Sequence, residues 1–350
     1  MAIKDRKLDH INISLRKNVQ FKNKKTGLGD INFGGVELIY KTLPEIDKAK
    51  VSCKTKFLGK DFSAPIMVAA ITGGVEKAKK INKDIAKACE NVGIGMGLGS
   101  QRAMLEKPEL SDTYKVRKYA PNIFLAGNIG VAQASSYSTL EIEHALETIE
   151  ADALAVHVNA AHEAIQPEGT TDFSKGIKTI SRLAKDLSYP IIVKEVGSGV
   201  SYEVAKGLSK TDIKAIDVGG AGGTSWTGIE YLRTKKKKHV FWDYGIPTAV
   251  SVLEVRKAFE GEIIATGGIR SGLDVVKACV LGADLCGVAL PVLKAQHKGG
   301  AKGVEKYLEN LIDEIKIGMF LLGAKKFSDL KSKKYVLLGA TKEWIDQRKF

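Results

Sequence analysis

The chain has 350 residues, 44% hydrophobic and 27% charged, with a formal net charge of +14. That length builds one large domain or two ordinary ones, the composition is that of a soluble globular protein, and no apolar run approaches the ~20 residues of a membrane helix. The first residues carry Lys4, Asp5, Arg6, Lys7 and Asp9 with no apolar segment behind them, which argues against a secretory signal and for a cytoplasmic protein.

The positive charge points to an anionic partner, either nucleic acid or a phosphorylated small molecule. No aromatic residues interleave the basic run Lys235–Lys238, so it reads as a solvated loop and not as a nucleic-acid stacking surface. The four cysteines, Cys53, Cys89, Cys279 and Cys286, lack metal-ligand spacing and read as buried reduced thiols.

Residues 1–60 are lysine-rich and expected to be irregular, apart from a short strand or helix at Val36–Tyr40. From Pro65 the texture changes. Eight short apolar runs recur: Ile66–Ala70, Gly93–Leu98, Ile123–Asn128, Ala153–Asn159, Ile191–Val196, Ala215–Val218, Ile263–Thr266 and Leu285–Leu290. Amphipathic segments lie between them, at Lys77–Asn91, Ser138–Glu150, Phe173–Leu187, Tyr202–Lys210, Val250–Ala258 and Gly272–Leu281. Runs without alternation, separated by helices, are parallel strands covered on both faces. Eight of them predict a (β/α)₈ TIM barrel over 65–292, with 1–60 an extension and 293–350 a helical addition whose main segment is Val304–Leu322. An open doubly wound sheet is the competing arrangement.

A barrel places its site at the C-terminal ends of its strands. Here those ends are polar or glycine-rich almost throughout: Thr72-Gly-Gly74, Gly99-Ser-Gln-Arg102, Asn128, the cluster His157, Asn159, His162 and Glu163, Lys194-Glu195, Gly219–Ser225, Gly267–Arg270 and Ala289-Leu290. The glycines of Gly93–Gly99 are out of register for a dinucleotide fingerprint. Gly219–Ser225 lacks a P-loop lysine, and it joins Ala265–Gly272 as a candidate phosphate cup. Lys194, in an otherwise apolar strand, is costly unless paired or beside an anion, which suits a Schiff base or an anionic cofactor ring. Asn159 shares a strand face with His157, and Glu163 is the one carboxylate of its cluster, as Mg²⁺ sites often require. It also reads as a helix-start carboxylate. Arg6-Lys7 by periodicity is only a solvated pair.

Taken together and in order, Arg6-Lys-Leu-Asp-His10, Ile71-Thr-Gly-Gly74, Gly97-Leu-Gly-Ser-Gln-Arg102, His157-Val-Asn159, Glu163-Ala-Ile-Gln-Pro-Glu-Gly169, Lys194-Glu-Val-Gly197, Gly222-Gly-Thr-Ser-Trp226, Gly245-Ile-Pro-Thr248 and Gly267-Gly-Ile-Arg270 resemble the FMN-dependent type 2 isopentenyl-diphosphate isomerases over nearly the whole chain. The resemblance implies interconversion of isopentenyl and dimethylallyl diphosphate with reduced FMN and Mg²⁺, NADPH as reductant, and a homo-oligomer, tetramer or octamer. It assigns FMN to Ala70, Ile71, Thr72, Ser100, Asn128, Lys194, Thr224, Gly267, Gly268, Ile269, Arg270, Ala289 and Leu290. It assigns substrate to Arg6, Lys7, Ser100, Gln101, Arg102, His157, Asn159 and His162, and Mg²⁺ to Glu163. Arg6-Lys7 becomes a flexible arm closing over the diphosphate. His162 and Lys194 are the catalytic candidates.

One position departs from the family pattern, which has glutamine where this chain has His162. The histidine either replaces the amide as a hydrogen-bond partner, acts as a general base, or marks a paralogue of altered activity. Ala70-Ile71 replaces a Ser-Met or Gly-Met pair, keeping small and apolar types. The rival enzyme is an FMN-dependent oxidoreductase on the same barrel. Its 2-hydroxy-acid type needs histidine beside arginine in a late loop, and Gly222–Gly228 has neither. Related reductases need a loop cysteine, and none lies between Cys89 and Cys279.

Overall fold

All eight apolar runs are strands: β1 (Ile66–Val68), β2 (Gly95–Gly97), β3 (Leu125–Gly130), β4 (Ala153–Val158), β5 (Ile191–Glu195), β6 (Ala215–Asp217), β7 (Glu262–Thr266) and β8 (Leu285–Val288). The structure, a computed structural model, describes residues 3–21, 32–236 and 239–349. Met1, Ala2 and Lys237-Lys238, parts of segments discussed above, lie outside the described residues. Each strand pairs in parallel with the next, and β8 closes on β1. Every residue of β1, β2, β3, β5, β6 and β8 is buried. Side chains fill the barrel on one face and helices cover the other, which is why the sequence does not alternate. The open sheet is excluded.

The crossover helices fall close to the predicted segments: Glu76–Val92, Thr139–Thr148, Gly176–Asp186, Tyr202–Leu208, Thr248–Ala258 and Gly272–Leu281. Ser138 with Glu141, and Ser271 with Asp274, form capping boxes that fix two of the starts. Register then sets the site. His157 pairs with Gly130 and Lys194, and Lys194 pairs with Asp217, so polar residues of three adjacent strands stand at one level of the rim.

Three expectations need correction. The described part of residues 1–60, which leaves out 22–31, is not irregular throughout: Ile3–Arg16 is a helix, and Thr55–Phe57 pairs with Lys60–Phe62 as a hairpin. The helix has a weak apolar face and is held by tertiary contacts, with Ile11 in the core, so its sequence carries little periodic signal. The eighth strand stops at Val288, because Ala289 caps a helix that begins at Leu290 and runs to Leu321. Gly299-Gly300 breaks that helix with non-helical backbone, hiding its first half from a search for continuous periodicity. Of the strand or helix left open at Val36–Tyr40, the structure forms a strand at Val36–Leu38, which pairs antiparallel with Tyr335–Leu337 of the tail, clasping the two extensions together.

The four cysteines are free and buried. Lys235 and Lys236 are exposed. No helix among the described residues is long and apolar enough to cross a membrane.

Candidate active site

The C-terminal strand ends surround a cavity of about 1640 Å³, its open mouth included. After β1 come Ala70, Ile71 and Thr72; after β2, Ser100 and Arg102; in β3, Asn128. His157, Asn159, His162 and Glu163 follow around β4, Lys194 stands in β5, Thr224 follows β6, Gly267, Gly268, Ile269 and Arg270 follow β7, and Ala289 and Leu290 follow β8. Arg6 and Lys7 line the cavity from the amino-terminal helix, so the expected arm takes a helical form that roofs the site. Gln101 alone among the predicted residues does not line the cavity. It is buried, its Oε1 accepting from the Asn128 N–H at 3.0 Å and its own N–H donating to the Asn128 carbonyl at 2.8 Å, so it fastens the Ser100–Arg102 loop to β3.

One half of the cavity is backbone and one buried cation. Lys194 Nζ donates to Asp217 Oδ2 at 2.8 Å and to the Glu195 carbonyl at 3.0 Å, all buried. Glu195 folds back to accept from the N–H groups of Val196, Gly197 and Ser198; burial pushes its carboxyl up to about 7 against these donors. The loop after β7 requires glycine at Gly267, where φ is +117° and a Cβ would lie 2.3 Å from the Gly220 carbonyl.

This half fits a flavin mononucleotide. Thr266 Oγ1, at the wall, is buried without a partner among the described residues. The Leu290–Leu321 helix opens on the cavity with no side-chain cap, while its neighbour at Gly272 is sealed by its capping box. That helix start therefore keeps the N–H groups of Leu290 and Val292, Pro291 having none, for an anion such as the phosphate tail.

The other half gathers the cationic side chains Arg6, Lys7 and Arg102 and the carboxylate Glu163. Burial, then the Arg6 and Arg102 charges, push Lys7 down to about 7. Its Nζ donates to the Gly73 carbonyl at 2.5 Å and to Tyr114 Oη at 3.1 Å. Arg6 is lowered from its ordinary value by burial and by Arg102. Burial, His162 and Lys194 push His157 down to about 3, so the ring is neutral, with Nδ1 2.8 Å from Asn128 Oδ1. Glu163, in the first turn of the Ala160–Ile165 helix, accepts from Asn159 Nδ2 at 3.0 Å, Gln166 Nε2 at 3.4 Å and the Thr170 N–H at 2.6 Å. A carboxylate accepts about four hydrogen bonds, so one lone pair remains for Mg²⁺, which a single carboxylate plus phosphate oxygens can hold.

His162 is tied at both ring nitrogens, Nδ1 3.4 Å from Asn159 Nδ2 and Nε2 3.2 Å from Glu230 Oε1. Its partner Glu230 was not anticipated. It reads as one more surface carboxylate, yet Trp226, Glu230 and Arg233 are spaced to share a face of the Trp226–Arg233 helix, and Ile229 and Tyr231 flank it. His10, which also binds Glu230 at 2.7 Å, was part of a quoted motif without a role. Burial works to raise Glu230, and the hydrogen bonds from His10 and His162 outweigh it, holding the carboxyl well below its usual range.

The chain is 47% identical to an isopentenyl-diphosphate delta-isomerase of Thermococcus onnurineus, covering 98% of this chain and 94% of the relative. It is 44% identical to one of Methanothermobacter thermautotrophicus over 99% and 97%. The FMN-dependent dehydrogenase family matches residues 133–337. The chain belongs to the isopentenyl-diphosphate delta-isomerase family. Its flavin domain places it with the type 2, FMN-dependent isomerases. Solved structures of similar shape include a mandelate oxidase, TM-score 0.66 at 18% identity over 96% of this chain and 99% of that one, and flavocytochrome b2, 0.69 at 21% over 97% and 88%. At those identities they share the barrel with this isomerase, and nothing more follows from them.

Proposed function

We propose that this chain interconverts isopentenyl and dimethylallyl diphosphate with reduced FMN and Mg²⁺. The observation that carries the reading is one cavity with two unlike halves: glycine backbone, an uncapped helix start and Lys194 on one side, Arg6, Lys7, Arg102 and Glu163 on the other.

Moving a double bond by one carbon adds a proton at one position and removes one at another, through a state with carbocation character that needs strong stabilisation. Reduced FMN supplies an electron-rich face for that positive charge and a proton-exchanging ring. The protein's own groups do the rest. Arg6, Lys7 and Arg102 bind the diphosphate, with Ser100 beside them, and Glu163 would hold Mg²⁺ against it. Neutral His157 keeps its Nδ1–H on Asn128 and presents Nε2 as an acceptor. His162 takes the place of an amide as a positioning residue, one ring nitrogen to Asn159 and one to Glu230. Lys194, set by Asp217, faces the flavin and tunes it. The amino-terminal helix excludes water from the alkene.

The deciding experiment incubates the protein anaerobically with FMN, Mg²⁺, a reductant and isopentenyl diphosphate. An acid-labile allylic product is expected, and its absence with fully reduced flavin ends the proposal. NADPH is the proposed reductant. The cytoplasm is the proposed location. A homo-oligomer is supported by the exposed Ile39, Tyr40, Leu43, Val336 and Leu338 on and beside the clasp, and light scattering measures it.

Lys7 gives a pH signature. Its folded value of about 7 lies below the usual 10.5. The unfolded chain therefore binds more protons between those values, and the fold gains stability as pH rises across that window. Substrate binding runs the other way, because a neutral amine does not attract a diphosphate. KM should rise as pH passes about 7, and Lys7→Arg, which keeps its charge, should flatten the profile.

A further inference from the structure

His10, His162 and Glu230 come from three separate elements, and their ligand atoms lie within 4.8 Å of one another. Glu230 is fully buried and each imidazole is only 13% exposed. Both Nε2 atoms converge on the same carboxylate oxygen, Oε1, while Arg233 Nε holds Oε2 at 2.7 Å. The indole of Trp226 sits against both rings, its centroid 5.3 Å from His10 and 5.1 Å from His162, restricting their rotation.

Two imidazoles and one carboxylate, with a cavity on the open side, are the donor set of a three-ligand zinc site that keeps a position for water or an anion. Imidazole selects zinc-class cations over Mg²⁺, which prefers oxygen. Burial lowers the proton affinity of His10, which favours the neutral ring that a metal needs. On binding, each ring moves its proton from Nε2 to Nδ1 and offers the Nε2 lone pair, and the Asn159 side-chain amide, whose Nδ2 faces His162 Nδ1, turns its oxygen to accept the new N–H.

We propose that His10, His162 and Glu230 bind a divalent transition cation of the zinc class, at a site separate from Glu163, and that the bound ion pins the amino-terminal helix over the cavity. His10 lies on the Ile3–Arg16 helix, His162 on Ala160–Ile165 and Glu230 on Trp226–Arg233, so one ion cross-links the roof to two barrel loops. The site stands on these three side chains and not on the isomerase reading.

The test titrates zinc into FMN-loaded protein under saturating Mg²⁺, in competition with a chromophoric chelator, and follows hydrogen exchange of the residue 3–16 amides. One zinc per chain is expected. His162→Gln, which can still hydrogen-bond Glu230, and His10→Gln should each weaken binding at least ~100-fold, beyond the ~10–100-fold loss from a supporting group. Glu163→Gln should leave zinc affinity intact. Zinc should slow helix exchange in the parent protein and not in His162→Gln. Absence of stoichiometric binding, binding that survives both histidine substitutions, dependence on Glu163, or exchange indifferent to zinc would each overturn the proposal.

Discussion

A Glu163→Gln protein is expected to fold, to remain yellow when loaded with FMN, and to lose about a thousandfold in kcat/KM together with its response to Mg²⁺. The size follows from the several kcal/mol by which a metal ion stabilises charge in a reacting complex, each ~1.4 kcal/mol being tenfold in rate. The substitution keeps the shape of the side chain and removes its charge. It also turns an amide nitrogen toward existing donors, either Asn159 Nδ2 at the Oε1 position or both Gln166 Nε2 and the Thr170 N–H at the Oε2 position, at a local cost of ~1–3 kcal/mol for each. Colour separates these effects from misfolding, because the groups that fit the flavin lie in the other half of the cavity. Undiminished Mg²⁺-dependent turnover would move the metal away from Glu163.

Lys194→Met should be colourless and unstable, and a second substitution should separate the two defects. The Lys194–Asp217 pair spans 2.8 Å with side-chain exposures of 10% and 5%. Removing one member of a buried pair leaves an uncompensated charge and costs about 3–5 kcal/mol, whereas replacing both with neutral groups is often near neutral. Asp217→Asn added to Lys194→Met should therefore restore most of the stability by denaturant unfolding. It should not restore the flavin, whose ring then has no ammonium beside it. If the double variant binds FMN as the parent does, Lys194 is structural only.

The barrel was legible because burial on both faces leaves a direct mark. Ile191–Val193, Ala153–Val156 and Leu285–Val288 are apolar without alternation, and amphipathic segments separate them. The cavity lining was legible through motifs, which specify residue types that a flavin and a diphosphate demand. What stayed hidden depends on contacts far apart in sequence. The helix carrying Arg6, Lys7 and His10 is stabilised by docking and not by its own periodicity. Glu230 stands apart from the surface carboxylates only because two histidines from other elements reach it. Gln101 sits inside a matching motif, yet a turn of its side chain takes it under Asn128 and out of the cavity.

The His10–Glu230 contact joins residues 220 positions apart, and the barrel itself closes only when β8, ending at Val288, reaches β1. During synthesis the roof helix leaves the ribosome before the barrel strands and has nowhere to dock until they have followed. Contacts of such sequence separation slow folding. The segment that completes the cavity is thus made before the barrel and among the last able to settle, so its protection from exchange in a refolding experiment should lag behind that of the β3–β5 strands.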